Sequence, residues 1–369
     1  MKKIIIIGLA IVLLLGVGYL AFFTSNQELV EKDPEFKTDG FIRFDYWQQK
    51  QQKQAEENEK KTAEDIRENG FTLTAVGDIM LSRMVGQKMV EYKDYHYPFL
   101  EVQDFLSSAD ITFGNLESPI IAGGKVMTGS FTFRADPEVA ESLDCAGFDI
   151  VTLANNHSLN KGEEGLQSTF DHLGKYFIDY VGAAKSFSEL DNQLVIKEVN
   201  GYKVGFLGYA YGPEYYEADT GPGIALMQES RLVKDVQNAK PQVDFLVVTM
   251  HDGVEYSHTS GSPQQKFAHL AIDQGADLVI GHHPHVIQEM EKYKDKYIFY
   301  SLGNFVFDQM WSQDTKEGLG VKMRINYDGV QDIEYYPVII EDYVQPREAN
   351  KEESDKILNY LQLDKLLSD

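Results

Sequence analysis

Residues 277–286 read DLVIGHHPHV. A short apolar run ends in glycine, and three of the chain's nine histidines follow within four positions. The preceding residues 263–277 (PQQKFAHLAIDQGAD) carry a helical pattern, so the run reads as a strand entered from a helix. The same arrangement recurs along the chain. FTLTAV precedes Gly77 and Asp78, ITFGNLE spans 111–117, DIVTLANNH spans 149–157 and VDFLVVTMHDG spans 243–253. Helical patterns fall between them, in FTFRADPEVAESLDCAGF (131–148) and GEEGLQSTFDHLGKYF (162–177). DYVGAA (179–184) reads as a strand and LVIKEVNGYKVGFLGYAY (194–211) as a hairpin. IFYSLGNFVFD (298–308) and VKMRINYDGVQDIEYYPVII (321–340) read as strands, and 346–369 as a surface helix. Apolar runs that end in polar residues and alternate with helices predict a layered α/β fold.

In such folds ligands gather at the carboxyl ends of the strands. Asp78, Asn115, Glu117, Asn155, Asn156, His157, His251 and the 282–285 histidines all fall at such ends. Asp, Glu, Asn and His together suit a first-row divalent metal: Mn, Zn or Fe, as one ion or two. Two such ions about 3.5–4 Å apart can activate water and clamp substrate oxygens. Pro284 biases His283 towards extended backbone, where residues two apart share a face. His283 and His285 are therefore expected to face one cluster, with His282 turned away as a neighbouring donor or lid residue. Asn304 and Asp308 are further candidates for the same pocket, and Arg83, Arg134 and Lys161 for anion contacts. Each residue also has a plainer reading. Asp78 or Asp252 fits a turn, Asn155–Asn156 a turn with His157 capping the next helix, and Glu117 a solvated loop. His96, His172, His258 and His269 read as structural or surface residues.

Composition limits the alternatives. The formal net charge of −24 argues against nucleic-acid binding, which needs clustered Lys and Arg. It also repels a polyanionic ligand unless cations stand in the site. The lone cysteine, Cys145, excludes an internal disulfide and reads as a core residue. Ile4 to Phe23 is an uncharged apolar run behind Lys2 and Lys3, long enough to cross a bilayer as an uncleaved single-pass anchor. The rest of the chain would then face outward. Residues 24–70, rich in Gln, Glu and Lys, read as a polar stalk ahead of a domain at 71–345.

Six ordered segments resemble the CapA family of capsule-synthesis proteins: GDIMLSR (77–83), NLESPI (115–120), LANNHSLNKGEEGL (153–166), MHDGVEY (250–256), GHHPHVIQ (281–288) and YSLGNFVFDQ (300–309). The resemblance implies a role in poly-γ-glutamate or related surface-polymer synthesis and export, with an anionic polymer and membrane synthase proteins as partners. That family is similar in turn to the calcineurin-like metallophosphoesterases, which implies a four-layer αββα sandwich and a dinuclear site. On that pattern Asp78 stands at the first Asp, Glu117 near a bridging acid and Asn156–His157 at a ligand followed by a general acid. His251 stands at an isolated ligand and His283-Pro-His285 at a paired one. Two departures stand out: Met80 occupies the place of a histidine ligand, and Asn160 the place where CapA-like chains often carry Asp. The implied activity is metal-dependent hydrolysis or transfer at a phosphoester or glutamyl amide, with His157 protonating the leaving group. The alternative is a non-catalytic, polymer-binding assembly subunit.

Overall fold

Alternation along single strands sets the layering. In Phe245–His251, Phe245 and Val247 enter one apolar core while Leu246 and Val248 enter another. The computed structural model describes residues 69–123 and 131–363; the Ile4–Phe23 run and all but the last two residues of the 24–70 stalk lie outside the described residues. In chain order the strands are β1 (Phe71–Ile79), β2 (Ile111–Leu116), β3 (Ile150–Thr152), β4 (Asp179–Val181), β5 (Ala183–Ala184), β6 (Val195–Val199), β7 (Tyr202–Ala210) and β8 (Gly223–Ile224). They continue with β9 (Phe245–His251), β10 (Leu278–His282), β11 (Met290–Tyr293), β12 (Lys296–Phe299), β13 (Asn304–Val306), β14 (Glu317–Asn326), β15 (Gly329–Glu341) and β16 (Gln345–Glu348).

One sheet runs β16-β15-β14-β1-β2-β3-β4, with β13 also paired to β1; a second runs β11-β12-β10-β9-β7-β6; β5 and β8 pair by themselves. The centre of each is parallel: β1 to β4 in the first, β7, β9, β10 and β12 in the second. Phe71, Leu73 and Phe113 of the first sheet meet Phe206, Val247 and Ile280 of the second in a shared core. On the outer face of the first sheet, Val76 and Ile79 pack with residues of the helices Arg83–Tyr92, Val139–Ala146 and Gly162–Lys175. On the outer face of the second, Leu246 and Val279 pack with the helices Glu229–Ala239 and Ser262–Gln274. The layer order is therefore helices, sheet, sheet, helices, as expected for the α/β sandwich.

The strand-like stretch at 298–308 holds parts of two strands, β12 and β13, which belong to different sheets, so the chain crosses between sheets over Tyr300–Gly303. Gly303, at φ +69°, makes the turn, and its carbonyl accepts the Asp78 amide at 2.9 Å. The tail beyond 345 begins as a strand paired to β15 rather than a helix. Its helix is Lys351–Leu358, capped by Asn350, whose side chain accepts the Glu352 and Glu353 amides. Ile357 and Leu361 join the inter-sheet core, so this is not a purely surface element.

The crossing segment explains the glycines that precede the candidate ligands. A Cβ on Gly77 would lie 2.0 Å from the Gly303 carbonyl oxygen, and one on Gly281 2.0 Å from that of Tyr300. Backbone stands where a side chain would be. Gly77→Ala and Gly281→Ala should each lower unfolding free energy by at least about 2 kcal/mol in urea titrations. Gly174→Ala, exposed in a helix with open space around the added carbon, should be neutral or stabilising by up to about 1 kcal/mol.

Candidate metal centre

Asp78, at the end of β1, has no solvent exposure. Asn115 Nδ2, from β2, donates to Asp78 Oδ1 at 2.8 Å and lies 3.3 Å from Glu117 Oε2 and 3.2 Å from His251 Nδ1. Asn155 orients that amide: its Nδ2 donates to Asn115 Oδ1 (3.0 Å) and to the Leu116 carbonyl (2.9 Å). His251, the last residue of β9, places Nε2 2.9 Å from Asn156 Oδ1 and 3.2 Å from His283 Nδ1. Asp78, Glu117 and His251 each offer one ligand atom, all within 4.8 Å of one another. The structure thus brings together the residues that the strand-end reading selected.

The histidine run reaches this place by another route than expected. His283 has φ +100° and His285 φ +58°, so the segment is a left-handed turn and not an extended strand. Such backbone costs about 1–3 kcal/mol per residue and persists only where its surroundings impose it. Here the His283 amide donates to Asp78 Oδ2 at 3.4 Å, and the Tyr256 amide to the Pro284 carbonyl at 2.8 Å. His282, expected to turn away, lies beneath the site: Nδ1 is 3.4 Å from Asp78 Oδ1, and the ring sits 5.9 Å from that of Phe113 in the inter-sheet core. His285 places Nδ1 3.0 Å from Asn304 Oδ1 and 3.3 Å from Asp78 Oδ2, with Nε2 3.9 Å from Glu117 Oε1.

His157 also reaches Glu117's free oxygen, with Nε2 3.8 Å from Oε1 and Phe133 stacked on the ring at 3.8 Å. The Phe133 amide donates to Asn160 Oδ1 at 2.6 Å, which identifies that atom as an acceptor. The contact of 2.8 Å from His157 Nδ1 to the same oxygen therefore carries the imidazole proton, and Nε2 holds a lone pair. Burial pulls the His157 pKa down to about 4, opposed in part by the Asn160 contact. The expected proton donor is thus a neutral imidazole arranged as an acceptor. Burial is the main reason, and Asn160 in place of an acid fixes the tautomer without holding a positive charge.

Burial likewise pushes the His251 and His283 pKa values down, reinforced by neighbouring imidazoles. At Asp78 burial works upward, but the His282 and His285 contacts outweigh it and hold the carboxyl well below its usual range. Burial, and then the Asp78 charge, push Glu117 up. Its Oε1 is buried without a hydrogen-bond partner, a costly arrangement unless a cation completes it. Neutral imidazoles, two carboxylates and an amide oxygen fit a divalent first-row ion.

Arg83 and Arg134 are not open anion contacts. Arg83 pairs with Asp308, whose Oδ2 also accepts the Met84 amide at 3.0 Å, and its guanidinium lies 4.8 Å from the Phe133 ring. Arg134 pairs with Asp136 at 2.6 Å and donates to the Ile121 carbonyl at 2.8 Å. Lys161 is exposed at the start of the Gly162–Lys175 helix. Asp308 therefore anchors Arg83, while Asn304 orients His285. Sequence reading passed over Phe133, and it noted Asn160 only as a departure; the spacing from His157 to Asn160 was the available signal. Away from the site, His258 stacks on Tyr360, His269 stacks on Tyr293, and Cys145 is half-buried on the Val139–Ala146 helix.

Donors of this kind at the carboxyl ends of two facing sheets define a candidate metal-centre α/β protein. Residues 72–309 match the family described as "Bacterial capsule synthesis protein PGA_cap". Capsule biosynthesis protein CapA of Bacillus anthracis is 34% identical over 282 residues, 74% of this chain and 68% of that protein. PGA biosynthesis protein CapA of Bacillus subtilis (strain 168) is 32% identical over 269 residues, 72% and 70% of the two chains. The chain belongs to this capsule-synthesis family, as the six segments implied. Among solved structures it is similar to a 5'-nucleotidase from Candida albicans SC5314, at 11% identity and a TM-score of 0.44, over 80% of this chain and 58% of that one. Nothing about function follows from a likeness that distant.

The depressed histidine pKa values carry a sign. Between about pH 6.5 and 4 the unfolded chain takes up a proton at residue 157 while the folded chain does not, so acidification through that window destabilises the fold. For metal-free protein, His157 alone should cost about 3 kcal/mol by pH 4. Urea unfolding at stepped pH should show the slope, and His157→Gln should reduce it by that share, leaving the part due to His251 and His283.

Proposed function

We propose that the protein is a membrane-anchored, extracytoplasmic accessory of capsule or polyglutamate synthesis whose divalent-metal-dependent hydrolase site acts on a phosphoester or glutamyl amide of an anionic surface polymer. The observation that carries the hydrolase part is the gathering of Asp78, Glu117, Asn156, His251, His283 and His285 at one buried place in which Glu117 Oε1 has no hydrogen-bond partner. Family membership and the "PGA biosynthesis" naming of the Bacillus subtilis relative support the polymer part. A bound divalent ion would supply Lewis acidity and the positive charge that this chain otherwise lacks at the site. The protein's own work is positioning. Asn115 ties Asp78 to Glu117, Asn304 and Asn160 hold two imidazoles in one tautomer, and the buried rings of Phe133 and Phe307 pack against His157 and His285. An anionic substrate would meet Asp78, Glu117 and the exposed Glu255, whose charge reaches both Glu117 and His283, and would be repelled unless cations were bound first.

One observation favours the polymer-binding subunit as a second reading. His157 is neutral with its proton on the Asn160 side, so it offers no acid to a leaving group. Cations in the site would then hold polymer carboxylates without cleaving them.

Elemental analysis of purified protein should find divalent metal, and Asp78→Asn should lower its content by at least half. Under the hydrolase reading, γ-glutamyl oligomers or generic phosphomonoesters are cleaved, chelation abolishes cleavage, and Asp78→Asn slows it by roughly 100-fold or more. Metal-dependent retention of γ-glutamyl oligomers with no cleavage of either substrate would replace the hydrolase by the binding subunit. Absence of both metal and activity would remove both readings.

The membrane part rests on Ile4–Phe23. Among the described residues no helix is long and apolar enough to cross a membrane. Cell fractionation should leave the full chain in membranes, with residues 71–363 cut by protease added to intact protoplasts. Recovery in the soluble cytoplasmic fraction would contradict the anchor.

A further inference from the structure

We infer that Glu117 Oε1, His157 Nε2 and His285 Nε2 form a cation lobe of their own, in which His157 is a ligand. This rests on the metal-centre reading above and deepens it. Glu117 Oε1, buried and without a hydrogen-bond partner, stands within 4 Å of one nitrogen of each of two imidazoles. The Asn160 oxygen, identified by the Phe133 amide, takes the proton of His157 Nδ1. On the other ring, Asn304 Nδ2 donates to the Thr315 carbonyl at 2.9 Å and to Gln309 Oε1 at 3.1 Å, so its Oδ1 takes the proton of His285 Nδ1. In its neutral form each imidazole therefore carries its lone pair on Nε2, which faces Glu117 Oε1 at 3.8 Å for His157 and 3.9 Å for His285. These separations are too long for hydrogen bonds. They fall within the span of about 4 Å open to donors that each sit about 2.0–2.2 Å from a shared ion. Glu117 is fully buried, and Oε1 has no other partner.

The remaining donors form a different group. His251 Nε2, His283 Nδ1 and Asn156 Oδ1 lie 2.9 and 3.2 Å apart, and the Asn115 amide stands among Asp78, Glu117 Oε2 and His251 Nδ1. Glu117 thus turns one oxygen to Asn115 and the other to the His157–His285 lobe. Met80, where the resemblance leaves a histidine missing, contributes nothing: it is buried among the helix-side apolar residues, and its sulfur accepts the Ser82 amide at 3.1 Å. His157 supplies the imidazole that Met80 does not.

Full-length protein purified in detergent and titrated with Mn²⁺ should bind two ions per chain, with an exchange-coupled electron paramagnetic resonance signal. His157→Gln should weaken one ion by at least about 10-fold and remove the coupling while the other ion stays. Asn160→Ala, which keeps the imidazole and deletes its acceptor, should weaken the same ion roughly 10-fold. Circular dichroism of the metal-free variants controls for folding. Two ions bound with unchanged affinity in both variants would overturn the inference and leave the metal centre standing. So would a single ion in the wild type that is lost in His251→Gln and indifferent to His157→Gln. Wild-type protein that binds no Mn²⁺ would overturn both.

Discussion

A carboxylate with no access to water governs this molecule. Asp78 ends the central strand of the first sheet, and burying its charge unpaired would cost several kcal/mol. The compensation comes from both sheets. Asn115 reaches it from β2 beside it, while the His283 amide and the His282 and His285 rings reach it from the end of β10 across the core. The apolar core between the sheets is non-directional and would tolerate small slips. The contacts to Asp78 are directional and lock the strand ends of the two layers together at one place. Removing any one partner leaves charge or a donor uncompensated in a dry environment, so the site is also a structural joint.

Strain collects around that joint. Arg83, Tyr256, His283 and His285 all hold positive φ without being glycine. Left-handed backbone at four side-chain-bearing positions costs free energy that helices and strands elsewhere must offset. Each position is held by a specific contact: Arg83 by Asp308, Tyr256 by the Pro284 carbonyl, His283 by Asp78 and His285 by Asn304. The crossing segment Tyr300–Gly303 adds a steric limit, since it leaves room only for glycine before Asp78 and before His282.

This division explains what could be read from the chain. Strand ends were legible because burial on both faces produces continuous apolar runs whose termination is abrupt, and the polar residues at those terminations are the ones that converge. The orientation of the histidine run was not legible. Proline restricts the residue before it only statistically, and a long-range contact from β1, over two hundred positions earlier, overrides that bias at His283. The break between β12 and β13 was hidden for a similar reason: the apolar pattern of IFYSLGNFVF continues through a change of sheet, because both segments are buried. The arginines were misjudged because their carboxylate partners lie elsewhere. Asp308 is distant from Arg83 in sequence, and Asp136, though near Arg134, gives no local sign of pairing.

The amides beside the histidines bear on what the centre can hold. A carboxylate at position 160 or 304 would raise the basicity of its imidazole, and it would also add charge to a site that already buries Asp78 and Glu117. Two carboxylates and neutral imidazoles balance one divalent ion. A second ion leaves the site net positive, the condition under which a polyanion can approach a chain of net charge −24. Neutral acceptors at Asn160 and Asn304 preserve that margin: they aim the rings without spending positive charge. The departure from an acidic residue at 160 is therefore consistent with a centre that must attract anionic ligands against the field of its own protein.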